Sequence, residues 1–286
     1  MLTSLEKQQI TRLVRHWVVP AIGCTEPICV ALAVSRATEV LGSVPQRIDA
    51  SLSANILKNA MGVGIPGTGM VGLPIAIALG ALIGRSDYGL EVLRDCNSEA
   101  VERGKAYIDE NRIHIGLKAD APEKLYVEIR CTDAEGNTAC AILAREHTNF
   151  IRVERNGEVL LDHPLSEGAV TEGGQNEEKL RLNLRKVWEY ATTMPLADIE
   201  FINEAGRLNS AAAHLSLEGN YGHRLGKTLS RPLGRGIMGD SIYAHIISST
   251  ASACDARMAG AMIPVMSNSG SGNQGICATN PVVVFA

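Results

Sequence analysis

The chain has 286 residues, 45% of them hydrophobic and 20% charged, enough for one large or two smaller globular units. A net charge of −4, with no basic block and no Arg/Lys run interleaved with aromatics, argues against a nucleic-acid partner. The longest apolar run, Met70 to Ile83, is too short for a membrane span and carries Pro74. Seven Cys without a CxxC pair, and no secretory signal, lead to the expectation of reduced thiols in a cytoplasmic protein.

Leu5 to Val19 has helical spacing, and Pro20 ends it. Thr25 is a cap signal for the next helix, with Glu26 and Pro27 in its first turn. That helix is expected to run, buried, to about Leu41. Cys24 falls immediately before its N-terminus, where the macrodipole favours a thiolate. Arg47 to Ser53 alternates as a strand does. Gly62-Val-Gly64-Ile-Pro-Gly67 has the letters of a dinucleotide fingerprint. No apolar strand precedes it and Pro66 interrupts it, so a loop leading into a buried helix, Val71 to Gly84, is the better reading. Gly89 to Asn111 is expected to form a solvated amphipathic helix.

From Ile113 the period becomes two. Residues 113–163 are expected to form a small antiparallel sheet, with the strand near 48–53 a candidate further member and hairpin signals at Asp133 to Asn137 and Asn156-Gly157. Pro164 to Glu178 reads as a linker. Helical patterns then follow at Lys179 to Thr192, Ala197 to Ser216, Leu225 to Arg231 and Asp240 to Met262. The fold class expected is α+β: a mostly helical body with an inserted small antiparallel sheet subdomain. The segments are 1–45, 46–165 and 175–286.

Ser267-Asn-Ser-Gly-Ser-Gly-Asn-Gln-Gly275 is uncharged, polar and glycine-rich between apolar runs. Such a segment either holds a small anion, such as a carboxylate, on its backbone N–H groups, or is a tight turn bonded to itself. Asp255 and Arg257 lie in a small-residue helix, where they either position a substrate or lock two helices. His147 reads as a turn residue at a strand edge. Cys24 is open to three readings: nucleophile, metal ligand or structural thiol.

Gly23-Cys-Thr-Glu-Pro27, Asn59 to Gly84 with Ile65-Pro-Gly-Thr-Gly-Met-Val-Gly-Leu-Pro-Ile-Ala76, His147-Thr-Asn149, and Asp255-Ala-Arg-Met-Ala-Gly260 through Ser267 to Gly275 together resemble the L-cysteine desulfidase family. That family is related to the iron–sulfur L-serine dehydratase alpha chain, and the resemblance covers essentially the whole chain. It implies α,β-elimination of sulfide from L-cysteine, giving pyruvate and ammonia, on a [4Fe–4S] cluster. Cys24 is then a cluster ligand, and Cys24, Glu26 and Thr68 are the candidate catalytic residues. Arg257, Ser267, Asn268, Ser269, Gly270, Ser271, Gly272, Asn273 and Gln274 are the candidate substrate-binding residues. Members of the family continue past residue 286 to further cluster cysteines, so the chain resembles a truncated member. Unless Cys254 or Cys277 substitutes, cluster and activity are expected to be absent or impaired. Serine dehydratase-like deamination, an amino-acid-binding module without catalysis and a nucleotide site at Gly62 to Gly67 are the rivals. The partners expected are a small amino acid and further copies of the chain, with no nucleic acid or membrane.

Overall fold

The most apolar helices set the architecture. In the computed structural model, which describes residues 1–165 and 180–286, α1 (Ser4–Trp17) opens with a capping box between Thr3 and Glu6. A short strand, β1 (Pro20–Ile22), leads to α2 (Thr25–Leu41), which is buried on nearly every side from Ile28 to Ala37. A helix apolar all round belongs in the middle of a core. Strand β2 (Arg47–Leu52) buries Ile48, Ala50 and Leu52 on alternate positions. Then come α3 (Ala54–Ala60) and α4 (Leu73–Leu82), the second fully buried helix. A Cβ placed on Gly80 would lie 2.6 Å from the Ala31 carbonyl oxygen, so the absence of that atom lets α4 seat closely on α2.

The helix expected over 89–111 is two pieces. A 3₁₀ turn spans Ser86–Glu91 with Gly89 at φ +54, and α5 (Ser98–Asp109) starts only after Asn97, whose side chain accepts the Ala100 N–H at 2.9 Å. An asparagine cap competes with helix continuation, which is why the pattern breaks there.

Strands β3 (Ile113–Leu117), β4 (Tyr126–Thr132), β5 (Thr138–Ala144), β6 (Phe150–Arg155) and β7 (Glu158–Asp162) complete a six-stranded sheet of order β3-β2-β4-β5-β6-β7. The expectation of an antiparallel sheet needs one correction: β2 and β3 run parallel. The chain between them passes through α3, α4 and α5, and a crossover of that length can return to the same sheet end. One core joins α2 and α4 to the inner sheet residues Val127, Ile129, Cys131, Ala139, Ala141 and Leu143.

The linker expected at 164–178 lies almost entirely outside the described residues. Beyond it stand α6 (Leu184–Thr193), α7 (Leu196–Ile199), α8 (Asn203–Glu218), α9 (Leu225–Ser230), α10 (Pro232–Met238) and α11 (Ile242–Met258). A 3₁₀ turn, Glu200–Ile202, separates α7 from α8 where one helix was expected. Strand β8 (Pro264–Met266) pairs antiparallel with β1, and α12 (Gly272–Phe285) follows. A second, smaller core of Ala212, Ala213, Ala253, Val265 and Ile276 holds α8, α11 and α12 together. The two halves meet at the β1–β8 pair and at the 62–69 loop, whose Gly64 and Gly67 N–H groups donate to the Met258 and Gly260 carbonyls at 3.1 and 3.2 Å. No helix among the described residues is long and apolar enough to cross a membrane.

The α2–α4 contact yields a stability test. Alanine at position 80 would gain about 1 kcal/mol in helix propensity. Overpacking a rigid core costs about 1–3 kcal/mol, and the atom opposed is backbone, which cannot rotate away. Gly80→Ala should therefore lower the urea midpoint without changing the slope of the transition; an unchanged or raised midpoint would refute the close seating of the two helices.

Candidate functional site

Cys24 ends the turn after β1 and is itself the N-cap of α2, with no capping bond from its side chain. The cap expected at Thr25 is thus displaced by one residue. Thr25 is already in the helix, and its hydroxyl donates to Glu26 Oε2 at 3.2 Å. The Cys24 thiol donates to the same oxygen at 2.9 Å, and Asn59 Nδ2 of α3 donates to Glu26 Oε1 at 3.3 Å. Burial by itself would raise the Glu26 carboxyl. The hydrogen bonds from Cys24, its own backbone N–H and Thr25, with the field of His147, outweigh burial and hold it below the usual carboxylate range.

The expected thiolate at Cys24 is not what the site produces. Burial pushes the thiol up to about 12, and the Glu26 charge adds to the shift while Arg257 opposes it. The residue is 6% exposed. A helix N-terminus favours an anion by only about 0.3–1 kcal/mol, less than desolvation takes away. Cys29, one turn later, is also buried, and its thiol donates to the Glu26 carbonyl at 3.1 Å.

His147, read from sequence as a turn residue, enters this site from the β5–β6 connection. A Cβ on Gly270 would lie 2.5 Å from His147 Nδ1, so the ring rests against the bare backbone of Gly270. Burial holds the imidazole below its ordinary value, and Arg257 pushes the same way while Glu26 opposes both. The ring is therefore uncharged near neutral pH. The signal that could have found it is the His147-Thr-Asn149 motif, which says nothing local about where the ring points.

Arg257, on the last turn of α11, is 3% exposed. Its Nη1 donates to Asn273 Oδ1 at 2.9 Å and to Met258 Sδ at 3.4 Å, while Nε is buried without a hydrogen-bond partner. The guanidinium lies against Gly272, where a Cβ would overlap it. Asp255 forms no ion pair with Arg257; its carboxylate accepts the Gly226 N–H at 3.3 Å.

The 267–275 segment is half loop and half helix, because α12 begins at Gly272. Ser267 is fully buried and anchors the segment, with its N–H and hydroxyl both donating to the Val19 carbonyl at 2.9 and 2.7 Å. Asn268 and Ser271 close a tight turn on each other, with Ser269 at φ +50 and Gly270 at φ +76 between them. Ser271 caps α12 by accepting the Gln274 N–H at 3.3 Å. Gln274 is exposed. The Thr68 hydroxyl donates to the Ile65 carbonyl at 2.8 Å and accepts the Met70 N–H at 2.9 Å, so both its capacities are engaged in its own turn. Gly62 to Gly67 follows α3 rather than a strand, which removes the context a nucleotide fingerprint needs.

One α+β chain thus gathers a thiol, a carboxylate, an uncharged imidazole and a buried guanidinium around a glycine turn. Residues 87–286 match the family described as serine dehydratase alpha chain, and the chain belongs to that family. It is 60% identical over 285 residues to a UPF0597 protein of Bacteroides fragilis, covering 100% of this chain and 65% of that one. A UPF0597 protein of Bacteroides thetaiotaomicron is 59% identical over 281 residues, 98% of this chain and 64% of its own length. One of Porphyromonas gingivalis is 45% identical over 282 residues, 98% and 65%. The chain thus spans about 65% of the length of these relatives. No solved structure matches it.

Two measurements check this geometry. With its pKa near 12, the Cys24 thiol is about one part in 10⁴ thiolate at pH 8. Iodoacetamide should therefore label exposed Cys277 at least ~100-fold faster than Cys24 by peptide mass spectrometry. Comparable rates would mean the thiol is not held as described. Gly270→Ala, which places a methyl against His147 and strains a positive φ, should displace the His147 ring signals in NMR while leaving those of the Asn156-Gly157 turn, at the far end of β6, in place.

Proposed function

We propose that the chain carries the amino-acid site of a lyase that eliminates the β-substituent of a small L-amino acid. The reading taken is release of sulfide from L-cysteine, with loss of water from L-serine as the alternative. The observation that carries it is Arg257: a buried guanidinium with one nitrogen unpartnered, beside an uncharged imidazole and next to the N-terminus of α12. A carboxylate is the anion that such a guanidinium and helix end attract. In this reading Asn273, Asn268 and the backbone of the 268–272 turn frame the substrate. Ser267 and Ser271 hold the turn's shape, and Thr68 shapes the neighbouring loop.

With the carboxylate on Arg257, His147 takes the proton from Cα. The Glu26 carboxylate stabilises the imidazolium that forms. The Cβ–S bond breaks with its electron pair on sulfur, and the proton held by His147 is returned to the departing sulfide. The 2-aminoacrylate left behind tautomerises to an imine, and water converts the imine to pyruvate and ammonia. Cysteine plus one water thus yields pyruvate, ammonia and hydrogen sulfide.

The resemblance also implies a [4Fe–4S] cluster with Cys24 as a ligand. A cubane is held by several thiolates. Among the described residues no three His, Cys, Asp or Glu side chains converge as a metal-holding group, and Cys24 keeps its proton on Glu26. These residues therefore do not fit the cluster by themselves. The same observation favours the second reading, an amino-acid site that binds without turnover. Association of copies is also part of the proposal. Its motive is the apolar strip of Val282 and Phe285, 66% and 75% exposed, beside a groove lined by Val18, Ile202, Met266 and Ala278.

The test is anaerobic incubation of the purified chain with L-cysteine or L-serine, following pyruvate and sulfide, with calorimetric binding in parallel. Pyruvate from either substrate supports the lyase. Binding without pyruvate supports the second reading, and neither would overturn both. With turnover, His147→Gln should lower kcat by about 10²–10⁴-fold. Arg257→Lys should raise KM more than it lowers kcat, because an ammonium loses the paired geometry of the guanidinium.

A further inference from the structure

The turn that delivers His147 is strained and is held from outside. Glu146 N–H donates to the Ala144 carbonyl at 2.9 Å, closing a three-residue turn around Arg145 at φ +69. That is the rarer, positive-φ form of the γ-turn, unfavourable for a residue with a Cβ. A second turn follows, with the Asn149 N–H donating to the Glu146 carbonyl at 3.3 Å and Asn149 Nδ2 to the Ala144 carbonyl at 3.0 Å. His147 sits inside this pair of turns. Strain of this kind persists only where the surroundings over-determine it, and it concentrates at functional sites.

The front of the turn is tied to its own sheet, with the Arg145 N–H donating to the Leu125 carbonyl at 3.1 Å and Arg145 Nε to Glu123 at 2.7 Å, whereas the hold next to His147 comes from the last turn of α1. His16 Nε2 and Glu146 Oε2 are 3.0 Å apart, with the Glu146 side chain only 16% exposed. The next residue, Trp17, packs its ring edge-on to His16 at 4.9 Å, and its carbonyl accepts the Ser269 N–H at 3.0 Å. Two consecutive residues of α1 therefore grip the two loops that face each other across the His147 ring. One holds the turn that carries the ring, and the other holds the turn whose Gly270 the ring rests on.

We propose that His16 is a positioning residue: its hydrogen bond to Glu146 fixes the strained 144–149 turn, so that His147 stays seated on Gly270 and faces Glu26. The inference rests on the reading of His147 as the group that takes the Cα proton, but the seating itself is independent of that reading. The charged groups acting on the His147 ring are Glu26 from α2 and Arg257 from α11, while the carboxylate of Glu146, on its own turn, is directed to His16. Neither Glu26 nor Arg257 is a hydrogen-bond or ion-pair partner of His16, so removing His16 changes the placement of the ring rather than the charges acting on it.

The experiment uses the full chain in three forms: wild type, His16→Ala and His16→Gln, whose amide can still bond Glu146. The first readout is the ring Cε1–Hε1 NMR signal of His147 at fixed pH, assigned by its loss in His147→Gln. It should move toward the position of an exposed imidazole in His16→Ala and return in His16→Gln. The second is turnover, in which His16→Ala should lose at least about tenfold in kcat with KM little changed, and His16→Gln should recover most of it. Should His16→Ala fail to fold, Glu146→Ala removes the same bond from the other side, and the same displacement is expected. A His147 signal that stays in place in the folded Ala variants would overturn the positioning role, whatever the activity. A signal that moves as expected in a protein with no elimination activity would leave the positioning role standing and remove the catalytic reading instead.

Discussion

A guanidinium cannot shed its charge, so burying one obliges the fold to arrange polar groups around it. Arg257 imposes that constraint here. It is almost fully covered at the end of α11, and Asp255 is turned away to the Gly226 N–H rather than toward it. Asn273 supplies one acceptor, and Gly272 lets the start of α12 lie flush on the cation. The turn between β8 and α12 follows from that contact, because Gly272 must sit against Arg257 while Ser267 is pinned to Val19. The few residues between them have room only for a tight turn through positive φ. The unpartnered Nε is what remains, and the proposed substrate carboxylate would give it a partner.

Around that cation the titratable groups sort themselves by burial more than by helix dipoles. Cys24 stands where the macrodipole of α2 would help a thiolate. A shift from 9.0 to about 12 is nevertheless worth about 4 kcal/mol between its two protonation states. The dipole contributes a fraction of that, and the Glu26 charge works against it. Glu26 resolves the conflict by staying ionised and accepting the Cys24 proton as a hydrogen bond. His147 is driven toward its neutral form by burial and by Arg257, though Glu26 pulls the other way. The result is a donor thiol, an anionic acceptor and a neutral imidazole in one place, each held further from its other protonation state than the same side chain in water.

Much of the scaffold was legible in the sequence because each element answers to a local rule. The alternation at Ile48, Ala50 and Leu52 marks a strand with one buried face. The unbroken apolar character of α2 and α4 marks helices buried on all sides. Asn156-Gly157 marks the hairpin that joins β6 and β7. The errors arose where a local rule met a competitor. Asn97 capped a helix that apolar spacing would have continued from Gly89, and Cys24 rather than Thr25 took the cap position. The parallel pairing of β2 with β3 could not be read from either strand, since alternation is the same for both directions.

By itself, then, the sequence determined the longer helices and strands and the faces they bury, though not α3, α10, α12 or the short β1–β8 pair, and it determined that the 267–275 segment must satisfy many polar groups without charges of its own. Only the tertiary structure decided that His147 rests on Gly270, that Arg257 rests on Gly272 beside Asn273, and that Cys24 is a protonated thiol rather than a thiolate. The reason is physical. Periodicity records burial along one element, whereas these contacts join positions more than a dozen and up to more than a hundred residues apart. The ionisation of each group depends on how completely water is removed and on which charges the fold brings near. Neither quantity exists until the β1–β8 pair and the last turn of α1 have closed the site.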